Sequence, residues 1–200
     1  MRFPNYKQDD ARDCGAACLQ MVCSHFGKYI DLERLRLLTN TSREGTSVAS
    51  LIRVGSELGL RCTPYSVSYF KFRHEVPLPC IVLWKGNHFA VVYKITEKHI
   101  YVSDPSVGLI RYNLTEFANG WLSPVSGSKT KRGICITIEK TPAFDDVKPD
   151  PQKNKVADAI VWFWNYIKPE KMQVIKIIIA AAALTTLGVV FPFITQTIVD

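Results

Sequence analysis

Several common signatures are absent from this chain. No G-x-x-x-x-G-K-[ST] segment occurs, so the chain has no P-loop with which to bind ATP. The N-terminus lacks the apolar core of a signal peptide. No block of Lys and Arg interleaved with aromatic residues marks a nucleic-acid surface, and the dithiol pattern C-x-x-C is missing. Nucleotide, nucleic-acid and disulfide-exchange chemistry are therefore disfavoured.

We do not expect the six cysteines to form a disulfide framework. Cys80 and Cys135 lie inside apolar runs, where a small buried thiol is the ordinary role. Because no signal peptide precedes them, we interpret residues 1–150 as a cytosolic, reduced unit. The net charge of +7 is scattered along the chain, and a hydrophobic content of 47% is sufficient for a packed core.

Helix signals dominate the first third of the chain and strand signals follow. Helices are predicted at 14–26, at 31–38 with Asp31 as its cap, and at 48–58 with Ser47 as its cap. Strands are predicted at 61–67, 80–84, 88–95, 99–103, 109–112 and 133–138, with a short helix at 115–121. This pattern indicates an α+β fold, in which a helical subdomain packs against a mostly antiparallel sheet.

The last part of the chain has a different character. Residues 177–199 are 23 residues without a charge, and as a helix they would be about 34 Å long, enough to cross a hydrocarbon core of about 30 Å. Aromatic residues in 156–167 suit a membrane interface. The lysines on the N-terminal side of the run predict that the preceding domain is cytoplasmic: Lys148, Lys153, Lys155, Lys168 and Lys171.

These features predict four segments. A globular domain occupies 1–142, a linker 143–155, an interfacial helix 156–171, and a single transmembrane helix 172–200. One membrane span with no domain beyond it is typical of a truncated chain.

Four residues carry the candidate chemistry. Cys14 stands where a loop becomes an apolar helix, so free backbone N–H groups and the helix dipole favour its thiolate form. His88 begins one predicted strand and Asp104 ends the next, so the two side chains can meet across an antiparallel pair. Gln8 offers an amide donor for an oxyanion.

Three segments in this order resemble a known family. They are Gln8 through Val22, with its Gln-x5-Cys-Gly pattern, Gly86 through Val91, and Val102 through Pro105. They are similar to the bacteriocin-processing, double-glycine leader peptidases, which form the N-terminus of peptidase-containing ABC transporters. The resemblance covers about residues 5–142, and residues 187–196 look like the first helix of an ABC exporter.

The resemblance implies a papain-like cysteine peptidase fold. Cys14 would be the nucleophile, His88 the general base and acid, Asp104 the orienting carboxylate, and Gln8 the oxyanion donor. The family cuts leader peptides after a Gly-Gly pair and exports the freed peptide, so we expect a cysteine endopeptidase at the bacterial inner membrane, with its peptidase domain in the cytoplasm.

The implied partners are a precursor peptide with a double-glycine leader, the membrane, and a second copy of the chain through the exporter domain; nucleic acid is not expected. No metal or cofactor is expected, since ATP would enter only through a nucleotide-binding domain whose motif this sequence lacks.

Specificity for Gly-Gly requires a cleft too narrow for a β-carbon. The resemblance implies that the rest of the leader docks as an amphipathic helix in an apolar groove. The aromatic candidates for this groove, for each of which core packing is the stronger expectation, are Tyr65, Tyr69, Phe70 and Trp84.

Two alternatives stay open at this point. Cys14 and Cys18 lie one helical turn apart, with Cys23 and His25 following, and two such thiolates can share a zinc ion. That hypothesis has no second ligand cluster and gives Gln8 no role. The other alternative is a docking module that recruits peptides to a transporter without cutting them, which an unreactive Cys14 would support.

Overall fold

The structure is a computed structural model. The described residues are 3–40, 45–125, 130–151, 161, 163–166 and 168–199; in the last of these ranges, side chains are described at 168–169, 172–173 and 175–188. The chain divides into two compact units, Met1–Gln152 and Lys153–Asp200.

The described part of the first unit contains helices and one sheet. Its helices are α1 (Cys14–His25), α2 (Leu32–Thr39), α3 (Val48–Glu57), α4 (Tyr69–Glu75), α5 (Leu114–Trp121) and α6 (Pro142–Asp146). Its strands are β1 (Leu60–Val67), β2 (Cys80–Trp84), β3 (His88–Ile95), β4 (His99–Asp104), β5 (Gly108–Asn113), β6 (Ser123–Pro124) and β7 (Lys131–Lys140).

The helix caps are those that the sequence predicts. The carboxylate of Asp31 accepts a hydrogen bond from the N–H of Glu33 at the start of α2, and the hydroxyl of Ser47 accepts one from Ser50 at the start of α3. Gly27 follows the C-cap of α1 with φ +94°, a conformation that strains any residue with a β-carbon. The predicted helices in this region are confirmed.

The sheet has seven strands, all paired antiparallel, in the order β1-β7-β2-β3-β4-β5, with β6 beside β7. The predicted α+β fold with an antiparallel sheet is therefore confirmed. The sequence does not reveal the order, because β7 enters between β1 and β2 from more than 40 residues away, and local patterns carry no information on such distant pairings.

Helices cover both faces of the sheet. Side chains alternate along a strand, so Ile81 joins a core beneath α1 to α3, whereas Val82 joins a second core beneath α4 and α5. The same alternation separates Val91 from Val92 on β3. Because β2 and β3 are apolar on both faces, they form the rigid centre on which His88 is mounted.

Some elements were not predicted. Helix α4 has only one fully buried apolar side chain, Phe72, so its sequence shows little helical periodicity. The predicted linker at 143–155 begins in a segment that packs on the first unit: Phe144 is fully buried in α6, and Asp150 forms an ion pair with Arg34 at 3.0 Å. The segment boundaries themselves stay predictions.

The second unit contains α7 (Lys171–Val199), which follows a 3-10 turn at Lys168–Glu170. Among the described residues, no helix combines the length and the apolar character that a membrane crossing requires. The transmembrane helix expected at 172–200 and the interfacial helix expected at 156–171 stay predictions, and most of 156–167 lies outside the described residues.

Candidate active site

Cys14 is the first residue of α1, as predicted, and is only 4% exposed. The chain enters α1 through a 3-10 turn, Ala11–Asp13. The buried carboxylate of Asp13 holds this turn, because it accepts a hydrogen bond from the N–H of Asp10 at 2.9 Å and pairs with the Arg36 guanidinium on α2 at 3.0 Å. The thiol therefore lies at a fixed helix N-terminus, where the helix dipole favours negative charge.

His88 and Asp104 meet as the sequence predicts. Strands β3 and β4 pair with Val91 opposite Ser103, which puts the beginning of β3 beside the end of β4. The Nε2 atom of His88 lies 3.0 Å from each carboxylate oxygen of Asp104. Both side chains are largely buried, with 21% and 10% exposure, so water screens the pair only weakly.

The environment of Asp104 favours its ionised form. Burial by itself would raise the pKa of this carboxyl, but hydrogen bonds from His88 and from the hydroxyl and backbone N–H of Ser106 lower the pKa to about 2. Asp104 is thus a fixed negative charge across the physiological range.

The pKa of His88 is raised from 6.5 to about 9. The hydrogen bond with Asp104 is the main cause, and a hydrogen bond with the Cys14 side chain is the next; burial opposes both. At neutral pH the ring therefore holds a proton. Because Nε2 faces Asp104, Nδ1 is the ring nitrogen available to the Cys14 sulfur. The structure thus joins the predicted ring and carboxylate directly, and the Cys14 side chain contributes to the raised pKa of the ring.

Gln8 lies in the segment that leads into the 3-10 turn before α1. Its backbone N–H donates to the carbonyl oxygen of Pro105 at 3.0 Å, directly after Asp104. The side-chain Oε1 of Gln8 is buried and has no hydrogen-bond donor among the described residues. Its role as an oxyanion donor stays a prediction.

Sequence reasoning missed the N-terminal segment as a support of this site. The amide of Asn5 donates to the hydroxyl of Ser103 at 2.8 Å, and that hydroxyl donates to the carbonyl oxygen of Pro4. Phe3 stacks on Tyr93 of β3 with 4.6 Å between ring centroids. Residues 3–8 thus bind across the strands that carry His88 and Asp104. No local motif predicts the contacts with Ser103, because the bonded residues are about a hundred positions apart in the sequence.

The other cysteines are buried free thiols. Burial raises the pKa of Cys23 to about 12 and that of Cys18 well above its usual range, so both are protonated near neutral pH. Within the described part of the chain no three His, Cys, Asp or Glu side chains converge on one point, so the zinc alternative finds no ligand set there.

The aromatic groove candidates divide into two pairs. Trp84 stacks on Tyr112 with 5.1 Å between centroids, and the hydroxyl of Tyr69 donates to the carbonyl of Leu114, so both belong to packing. Phe70 and Tyr65 are 69% and 48% exposed. Tyr65 borders a depression of about 340 Å³ beside β1 and α4.

Comparison of the amino-acid sequence with known proteins finds processing and transport ATP-binding proteins. A lactococcin-G-processing and transport ATP-binding protein of Lactococcus lactis subsp. lactis is 31% identical over 153 residues, which are 74% of this chain and 22% of that protein. A colicin V secretion/processing ATP-binding protein of Escherichia coli is 36% identical over 111 residues, 56% of this chain and 16% of the relative. This chain spans about a quarter or less of the length of the curated relatives it matches.

Solved structures show the same fold. The crystal structure of a double glycine motif protease from an AMS/PCAT transporter, in complex with the leader peptide, matches with a TM-score of 0.62 and 29% identity, over 70% of this chain and 93% of the other. The peptidase domain of a Streptococcus bi-functional ABC transporter shares the fold, with a TM-score of 0.60, 23% identity, and coverage of 70% and 100%. The family description of peptidase C39 matches residues 2–125, so the chain belongs to the peptidase C39 family, as its motifs predict.

Proposed function

We propose that the chain is a cysteine endopeptidase that cuts leader peptides after a Gly-Gly pair. The observation that carries the proposal is the connected set of Cys14 at the tip of α1, His88, and Asp104, in a chain of the peptidase C39 family. A protonated imidazole beside a sulfur at a helix N-terminus stabilises the thiolate, which is the nucleophilic form of cysteine. The arrangement supports a papain-like assignment, with the nucleophile on a helix and the base on a sheet.

The reaction follows from these positions. The Cys14 thiolate attacks the carbonyl carbon of the second glycine, and the carbonyl electrons move to the oxygen. As the tetrahedral species collapses, the C–N bond breaks, and the leaving amine takes the proton of His88. Neutral His88 then removes a proton from water, the hydroxide attacks the thioester carbon, and the C–S bond breaks to restore the thiolate and the protonated ring.

Asp104 and Gln8 assist this cycle in different ways. The carboxylate of Asp104, whose pKa is lowered to about 2, orients the ring and stabilises its positive charge. The backbone N–H of Cys14, which starts a helix, is a donor for the negative oxygen of the tetrahedral species. The amide of Gln8 is the second proposed donor, since its backbone is anchored beside the Asp104 loop.

The proposed substrate is a precursor peptide with a double-glycine leader. The solved relative with a bound leader peptide supports this, at 29% identity. A site that admits only glycine at the cut would reject side chains by contact with a β-carbon.

Coupling to export is part of the proposal and concerns a protein longer than this chain. The relatives are processing and transport ATP-binding proteins of which this chain spans about a quarter or less. The uncharged run at 177–199 supports a membrane helix. In the proposal, the peptidase unit lies in the cytoplasm. The exporter part of the longer protein would be the site at which two copies form a dimer. ATP would bind to a nucleotide-binding domain, whose motif these 200 residues do not contain.

The reactivity of Cys14 distinguishes this proposal from a docking module. Iodoacetamide should alkylate Cys14 at pH 7 faster than a free cysteine peptide, because its thiolate is stabilised, and His88→Ala should slow the reaction. A rate equal to that of the free peptide, unchanged in His88→Ala, would favour docking without catalysis. Intact-protein mass spectrometry with site mapping measures both rates.

A further inference from the structure

The carboxylate of Asp104 is held by a loop residue, Ser106, which is not one of the proposed catalytic residues. Its Oδ1 accepts a hydrogen bond from the hydroxyl of Ser106 at 2.6 Å and another from the backbone N–H of Ser106 at 2.7 Å. The N–H of Val107 adds a third contact at 3.3 Å. These three donors all lie in the loop between β4 and β5.

The contacts fix the direction of the carboxylate. The Nε2 atom of His88 is equidistant, at 3.0 Å, from both oxygens of Asp104. Rotation of the carboxyl group would break this symmetry, and the loop donors on Oδ1 resist such rotation. An O–H···O⁻ bond of 2.6 Å is in the range of strong, charge-assisted hydrogen bonds.

The surroundings of Ser106 argue against a role in stability alone. The residue is exposed, so its hydroxyl could be hydrated if it did not bind Asp104, and water would offset part of the lost bond. Its hydroxyl bond is nevertheless directed to the one carboxylate that faces the catalytic ring.

We propose that Ser106 is a positioning residue of the peptidase, whose hydroxyl keeps the Asp104 carboxylate aligned with His88 while the ring gives and takes its proton. The inference rests on the proposed function, because it acts through the same carboxylate and ring. Ser106 acts through Asp104 and has no proposed contact with the substrate. Its loss should therefore lower the rate of the chemical step and leave the affinity for the peptide unchanged.

The test compares Ser106→Ala with Ser106→Thr in the 200-residue chain, using a synthetic double-glycine precursor peptide. Ser106→Ala removes the hydroxyl and keeps both backbone donors. We expect kcat to fall about three- to ten-fold with KM unchanged, and Ser106→Thr, which keeps a hydroxyl, to restore most of the rate. Ser56→Ala is the matched control, because it removes another exposed hydroxyl, which bonds to the carbonyl of Ile52 on α3.

A double-mutant cycle makes the test specific. If Ser106 acts through Asp104, then Ser106→Ala should cause little further loss in an Asp104→Ala background. Additive losses, a wild-type kcat in Ser106→Ala, or a failure of Ser106→Thr to recover the rate would each overturn the inference. An inactive wild-type chain with an unreactive Cys14 would overturn the proposed function instead, so the two failures are distinguishable.

Discussion

The backbone N–H of Gln8 donates to the carbonyl oxygen of Pro105, with 3.0 Å between nitrogen and oxygen. Pro105 directly follows Asp104, which binds His88. The segment that leads into α1 and the loop that follows Asp104 are therefore joined at their backbones. The proposed oxyanion donor and the carboxylate proposed to orient His88 thus share one support, although they lie almost a hundred residues apart.

Replacement of Gln8 tests its proposed side-chain role without breaking this backbone link. Gln8→Ala should lower kcat by about 10²- to 10³-fold with little change in KM, because an oxyanion donor acts mainly in the transition state. Steady-state kinetics on a double-glycine peptide measure the change. Lys7→Ala is the control, since Lys7 is the exposed neighbour, and it should cleave at the wild-type rate. A Gln8→Ala rate equal to wild type would remove Gln8 from the mechanism.

His88 and Asp104 should differ in the severity of their loss. His88→Ala removes the group that transfers protons, and we expect a loss of about 10⁴-fold in kcat, the upper end for general acid–base catalysis. Asp104→Ala removes orientation but leaves the ring, so a smaller loss than that of His88→Ala is expected.

Single-turnover rates resolve the two variants, and His99→Ala serves as a control for a histidine on β4 outside the site. A larger loss for Asp104→Ala than for His88→Ala would contradict the assigned roles.

The pH profile should report the raised pKa of His88. Since the protonated ring partners the thiolate and protonates the leaving amine, kcat/KM should fall as the pH rises through about 9. The hydrogen bond with Asp104 is the main cause of the raised pKa, so Asp104→Asn should move this alkaline limb toward 6.5. Profiles from pH 5 to pH 10.5 measure both, and a limb that stays in place in the variant would contradict the account.

The raised pKa of His88 also makes the stability of the fold depend on pH. The pKa of His88 is higher in the folded than in the unfolded chain, so its contribution is fully present below about pH 6.5 and is lost as the pH rises through about 9. The Tm difference between wild type and Asp104→Asn should therefore be larger at pH 6 than at pH 10. A difference that does not change with pH would show that the pair contributes no charge interaction to folding.

Gly120, which packs against Trp84 at the end of β2, should not tolerate a larger side chain. A β-carbon at Gly120 would lie 2.2 Å from the ring of Trp84, which stacks on Tyr112 and pairs across the hairpin with His88. Gly120→Ala should therefore destabilise the fold by about 1–3 kcal/mol and reduce cleavage. Thermal unfolding measures the loss, and Trp84→Phe in the same chain should recover part of it, because the smaller ring leaves room. An unchanged Tm would refute the contact.

Much of the site could be predicted because its signals are local. The helix start at Cys14 follows from an apolar run after polar residues, and the ends of β2 and β3 follow from apolar runs beside a Lys-Gly-Asn turn. The meeting of His88 and Asp104 needed one further assumption, that β3 and β4 are antiparallel neighbours, which the structure bears out.

The supports of the site could not be predicted. Ser106 lies after a proline, where strand patterning stops, and its hydrogen bonds depend on the loop conformation. Asn5 binds Ser103 across 98 residues, and no sequence period reports such a contact. The position of β7 inside the sheet could not be predicted for the same reason. Pairing between distant strands depends on packing on both faces of the sheet.

The central claim is that the sulfur of Cys14 cuts a peptide after Gly-Gly, and mass spectrometry of a synthetic precursor incubated with the 200-residue chain tests it most directly. The account predicts a single cut after the second glycine by wild type and by Cys62→Ala, which removes a buried thiol outside the site. Cys14→Ala should leave the precursor intact yet still bind it. Equal cleavage by Cys14→Ala, or a wild-type cut at another bond, would contradict the account.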